Sequence, residues 1–109
     1  MTGWAEQLPD TTDILFADGV FIKKNTFARA GVRAIQHSHA YEHVSVIASG
    51  RVRVRVNGNL VGEFAAGDIV RISAQSQHVF DILEDGTTIL CIHNASRTGE
   101  IELAGPQEA

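Results

Sequence analysis

Valines at 52, 54 and 56 alternate with arginines at 51, 53 and 55. A period of two places the valines on one face of a β-strand and the arginines on the other. Asn57-Gly58 follows, a strong two-residue hairpin signal, and Leu60 to Phe64 is the returning strand. Other short β-branched or aromatic runs predict further strands: Gly19 to Lys23, Thr26 to Ala30, Val32 to His37, Val44 to Ser49, Ile69 to Ile72, His78 to Leu83 and Thr88 to His93. Ile101 to Leu103 is a candidate edge strand. Ala65 to Asp68 is read as a turn, and Asp85-Gly86 as a second hairpin. No segment sustains helical periodicity for three turns. Eight to ten short strands with Gly-centred turns predict an all-β sandwich or small antiparallel barrel. The opening twelve residues and residues 104–109 read as loose termini around a core of about residues 19–94.

The hairpin at Asp85-Gly86 implies a register. Glu84 would pair with Thr87, so that His78 faces His93 and Phe80 faces Cys91. Phe27, Ile35, Val46, Phe80 and Ile82 are the expected core or pocket wall. Lys23 and Lys24 read as the guard of an edge strand.

Composition narrows the class. The 109 residues make one domain, with 44% hydrophobic and 20% charged residues, so a folded state is expected. Nine Lys and Arg against thirteen Asp and Glu give −4. That balance argues against nucleic acid as a partner, and the Arg51, Arg53, Arg55 ladder is expected as a solvated outer face or an intersubunit contact. No apolar run approaches the roughly 18 residues of a membrane span. The opening lacks the basic and apolar regions of a secretory leader. One cysteine, Cys91, cannot make an internal disulfide, and it is expected as a small buried hydrophobe. A reducing cytoplasm is the expected compartment.

Four of the five histidines are grouped. His37 and His39 share a strand face at about 6.5–7 Å separation. His43 follows four residues later, and His78 opens a downstream strand. Imidazole suits Zn, Cu, Ni and Fe, and neutral histidine is the commonest protein metal ligand. The alternative is histidines that sit in core or solvent with no ion.

Two spacings carry a resemblance. Gly31, five residues, His37-Ser-His39, three residues, His43, six residues and Gly50 resemble the first motif of the cupins. Gly67-Asp68, nine residues and His78 resemble the second, sixteen residues after the first. The resemblance spans residues 19–94. It implies a small single-domain cupin, a jelly roll or double-stranded β-helix, with one divalent ion (Fe, Mn, Ni, Zn or Cu) per chain. His37, His39, His43 and His78 would be its ligands, and two copies would form a homodimer. Three departures stand out. His43 occupies the position usually held by Glu; Ser73 and Gln75 replace the usual Pro and Gly; Ile82 replaces an Asn. Glu42 is the alternative acidic ligand, at the wrong strand parity unless a bulge intervenes.

Four neutral histidines leave a divalent ion with charge +2, which favours anionic ligands and disfavours the trivalent state. His93 and Tyr41 are candidate substrate-facing residues. Each has a plainer reading: a strand-end histidine satisfied by backbone or solvent, and a packed loop aromatic. The resemblance implies dioxygenase-type chemistry on a small molecule that chelates the ion. The alternatives are a non-catalytic, metal-dependent binding module and a metal that only pins the fold.

Overall fold

A computed structural model describes residues 4–36 and 41–95, apart from the side chains of residues 35 and 36. The chain forms β1 (Ala5–Glu6), β2 (Thr11–Ala17), β3 (Val20–Phe27), β4 (Val32–Gln36), β5 (His43–Ser49), β6 (Arg51–Val56), β7 (Asn59–Ala65), β8 (Ile69–Ile72), β9 (His78–Ile82) and β10 (Thr87–Asn94). They make two five-stranded sheets, one in the order β1-β4-β9-β6-β7 and one in the order β2-β3-β10-β5-β8. Every pairing is antiparallel except β1 with β4. This is the all-β jelly roll the strand pattern predicts.

Alternation builds the core. Val52 and Val54 are fully buried, while Arg51, Arg53 and Arg55 take the other face. Phe27, Ile47, Ile72, Phe80, Ile82, Ile89 and Cys91 close the space between the sheets. Val46 departs from expectation. His43 starts β5 facing inward, so the even-numbered residues of that strand face out, and Val46 pairs outside with Ile69 and Leu90.

Two Asx-Gly pairs form tight turns. Asn57 and Gly58 have φ of 51° and 85°, and Asp18 and Gly19 have 50° and 81°, the left-handed pair that a type I′ hairpin needs. The second turn joins β2 to β3. The opening residues expected to be loose therefore hold β1 and the start of β2.

Asp85-Gly86 behaves differently. β9 pairs with β4 and β6, and β10 pairs with β3 and β5, so these strands lie in different sheets. The hairpin register pairing His78 with His93 and Phe80 with Cys91 is not formed. Both edges of both strands are already occupied, and the connection crosses from one sheet to the other. It is tied to the 28–31 turn instead: Ala30 N donates to Asp85 Oδ1 at 2.7 Å and Gly86 N to Ala28 O at 3.1 Å. Beside this crossing, Gly50 has φ 81°, and a side chain there would meet Thr87 Cα at 2.6 Å. That close approach explains why the β5–β6 corner needs glycine.

Ile101 to Leu103 and residues 104–109 lie outside the described residues. Among the described residues no helix is long and apolar enough to cross a membrane.

Candidate functional site

One end of the barrel gathers the chemistry. His43 is the first residue of β5 and His78 the first of β9. They come from different sheets, yet both side chains face inward. His43 is buried and His78 fully so. Their ring centres lie 5.2 Å apart with the planes at 54°. His78 Nδ1 sits 3.3 Å from the carbonyl oxygen of Ser76. Donation from Nδ1 to that carbonyl leaves Nε2 with its lone pair. Ser76 is itself held, its hydroxyl donating to Ser73 O at 2.7 Å. The Phe80 ring packs edge-on to His78 at 5.9 Å.

His37 and His39 lie outside the described residues. The chain leaves the described part at Gln36, the register partner of His78. It re-enters at Tyr41, whose ring lies 4.6 Å from that of His93. His93 has Phe21 on another side at 4.9 Å. It follows Ile92, which pairs with Val44, and shares inward parity with Ile89 and Cys91. His93 and Tyr41 thus meet at the same end of the barrel as His43, although His93 arrives on a different strand pairing from the one expected. Among the described residues no group of three or more His, Cys, Asp or Glu side chains forms a metal-sized cluster.

Glu42 turns outward. Its carboxylate accepts from Arg71 Nε at 2.8 Å on the exposed face of β8. This pair lines a pocket of about 450 Å³ together with Val20, His43, Val44, Ile92, His93 and Asn94. The rim of the histidine site is therefore largely apolar.

Gln75 holds φ 60°. This is the second-motif position where the related pattern has glycine, and the left-handed backbone supplies the reason. The fold keeps the turn and accepts a side chain in a conformation that L-residues disfavour.

Among the solved structures the chain is similar to an RmlC-like cupin from Shewanella frigidimarina, at 20% identity over 86% of this chain and 88% of that one, with TM-score 0.64. It is similar to a cupin-2 domain from Rhodospirillum rubrum, at 24% identity over 90% and 64%, with TM-score 0.66. The chain has the cupin fold. The chain is also similar to KdgF from a Halomonas species, at 16% identity over 74% of each chain, with TM-score 0.65. No family model matches the chain, and no curated protein does. Within the cupin barrel, His43 and His78 occupy facing positions on the two sheets.

The sequence reading missed one inward residue. Lys23, taken as an edge guard, lies on β3 between β2 and β10 and is 1% exposed. Its parity with Phe21 and Phe27 was the available signal. Lys24 does face out, 3.8 Å from Asp13.

Proposed function

We propose that this cupin holds one divalent transition-metal ion (Fe, Mn, Ni, Zn or Cu) on His37, His39, His43 and His78, and that a small molecule binds there. The observation that carries the reading is the meeting of His43 and His78 across the two sheets. A metal–nitrogen bond of about 2.1 Å places each imidazole centre roughly 3.2 Å from the ion. Two such rings at octahedral to tetrahedral angles stand about 4.5–5.2 Å apart, and the observed separation of 5.2 Å fits. The Ser76 carbonyl would fix the tautomer of His78, as second-shell acceptors do for ligating histidines.

When bound, the ion supplies Lewis acidity and open positions for a chelating oxyanion, which is the basis of a dioxygenase-type assignment. His93 and Tyr41 offer hydrogen-bonding groups at the same end and orient the substrate. The second reading is a non-catalytic, metal-dependent binding module. It is favoured by the outward turn of Glu42, which removes that carboxylate from acid–base work inside the barrel.

Copies of the chain are proposed to pair as a homodimer through the outer face of the β2-β3-β10-β5-β8 sheet, where Leu15, Val20, Val44 and Ile69 are exposed. A two-fold axis would lay the same patch on itself. The reduced, buried Cys91 suits a cytoplasmic setting.

The deciding experiment is elemental mass spectrometry of the untagged protein, paired with oxygen uptake against thiols, diketones and enols. About one ion per chain with oxygen uptake supports the enzyme; an ion without turnover supports the binding module. His43→Ala should lower metal content while Glu42→Ala leaves it unchanged. The reverse result would move the ligand to Glu42, and no metal under any loading condition would end the metal reading.

A further inference from the structure

The outer face of the β2-β3-β10-β5-β8 sheet is patterned as well as apolar. Strand register sets its outward residues in rows across the sheet. One row runs from Leu15 on β2 through Ile22, Ile92 and Val44 to Arg71 on β8. The next runs from Asp13 on β2 to Ile69 on β8, with Leu90 and Val46 between. Charge therefore stands at two diagonal corners, Asp13 with Lys24 on one side and Arg71 with Glu42 on the other. The remaining corners are Leu15 and Ile69, exposed by 61% and 68%.

In each ion pair one member is the more open to solvent. Asp13 is 72% exposed against 49% for Lys24, and Arg71 is 76% exposed against 57% for Glu42. The more exposed charges are thus opposite in sign, and they lie on the two edge strands of one sheet. At the Arg71 corner lies the pocket of about 450 Å³, lined by Val44 and Ile92 with Val20 and Asn94 beside them. That volume accommodates an aliphatic side chain.

The face therefore carries a projecting leucine with an acid beside it at one edge, and an apolar pocket with a base beside it toward the other. Leu15 and Asp13 are two residues apart on one face of β2, a step of about 6.5–7 Å. A two-fold axis lying in this face and inclined to the strands exchanges diagonal corners between two copies. It lays Leu15 over the other copy's pocket and Asp13 against the other copy's arginine, and symmetry repeats both contacts. Like charges are not brought together at these corners.

We infer that the occupant of this pocket is a second copy of the chain, docked so that each Leu15 fills the pocket of the other and each Asp13 pairs with the partner's Arg71. This rests on the homodimer proposed above and gives it a specific register. His43 and His93 line the same pocket, so the partner's Leu15 becomes part of the surroundings of the histidine site.

Sedimentation of the full chain over a concentration series measures the dimer dissociation constant. Leu15→Asp should weaken the dimer at least about a hundredfold, by placing two carboxylates in apolar pockets, whereas Leu15→Met should stay within about threefold. Asp13→Arg and Arg71→Asp should each weaken it by about tenfold, since each sets like charges together twice. The chain carrying both substitutions should return to within about threefold of the unmodified protein. All four positions changed are exposed or rim sites, and circular dichroism checks that each variant is folded. A dimer that Ile69→Asp dissociates but Leu15→Asp does not keeps the seam and overturns this docking. Charge reversals whose losses add rather than cancel also overturn it. A protein that is monomeric at every concentration overturns both this docking and the homodimer.

Discussion

The two sheets share a core but differ on their outer faces. Outside β4, β9 and β6 the surface is charged and paired. Asp81, fully buried, accepts from Arg33 Nε at 2.6 Å and lies 3.5 Å from Arg55 Nε. The hydrogen bond to Asp81 is the main cause that raises the Arg33 pKa above its ordinary value. Arg51 and Arg53 both reach Glu63. The arginine ladder is therefore a set of ion pairs within one sheet. Outside β2, β3, β10, β5 and β8 an apolar stripe runs between the exposed Lys24–Asp13 and Arg71–Glu42 pairs. Leu15 pairs with Ile22, Ile22 with Ile92 and Ile92 with Val44; Val46 and Ile69 extend the next row. The first face is finished within the chain, while the second resembles a surface meant to be covered.

The largest break in that contrast is Asp81→Ala. Removing a buried carboxylate beside two part-exposed arginines should cost about 2–4 kcal/mol, at the lower end of the range for broken buried pairs because solvent screens Arg33 and Arg55. Denaturant unfolding measures it, and a loss below about 0.5 kcal/mol would show the cluster to be decoration. On the opposite face, Ile69→Asp should convert a dimer to a monomer in sedimentation while changing protomer stability by about 0.5 kcal/mol or less. An unmodified protein that already sediments as a monomer refutes the pairing. The smallest effect sharpens the junction between the sheets. Gln75→Gly, in the β8–β9 connection, should raise stability by about 0.5–1 kcal/mol by relieving the left-handed backbone. A loss of stability there would mean that the Gln75 side chain contributes more than its backbone costs.

Much of this was readable in the residues, for a physical reason. Side-chain alternation reports which residues share a face, so Val52, Val54, Phe80, Ile82 and Cys91 were placed inside without knowledge of their neighbours. It does not report which strands pair. Asp18-Gly19 and Asp85-Gly86 are the same dipeptide, but one closes a hairpin and the other carries the chain between sheets. The difference lies in the partners of the flanking strands, which no local signal contains. Lys23 was misread for a related reason: a charged residue suggests an edge only while the strand's partners are unknown. Of the histidine group, His43 and His78 meet inside the barrel, while His37 and His39 fall outside the described residues.

β10 has a consequence in time as well as in space. It is the middle strand of its sheet, yet it is the last described strand to be made. Its partner β3 lies sixty residues or more earlier, since Thr87 pairs with Phe27 and Asn94 with Val20. The β2–β3 hairpin and β5 leave the ribosome with their shared edge open, and they cannot join until residues 87–94 arrive between them. Long-range closure of this kind slows folding. Until it happens, the nascent chain exposes two unsatisfied strand edges, so the interval before β10 emerges is when this protein is most exposed to mispairing with another copy of itself.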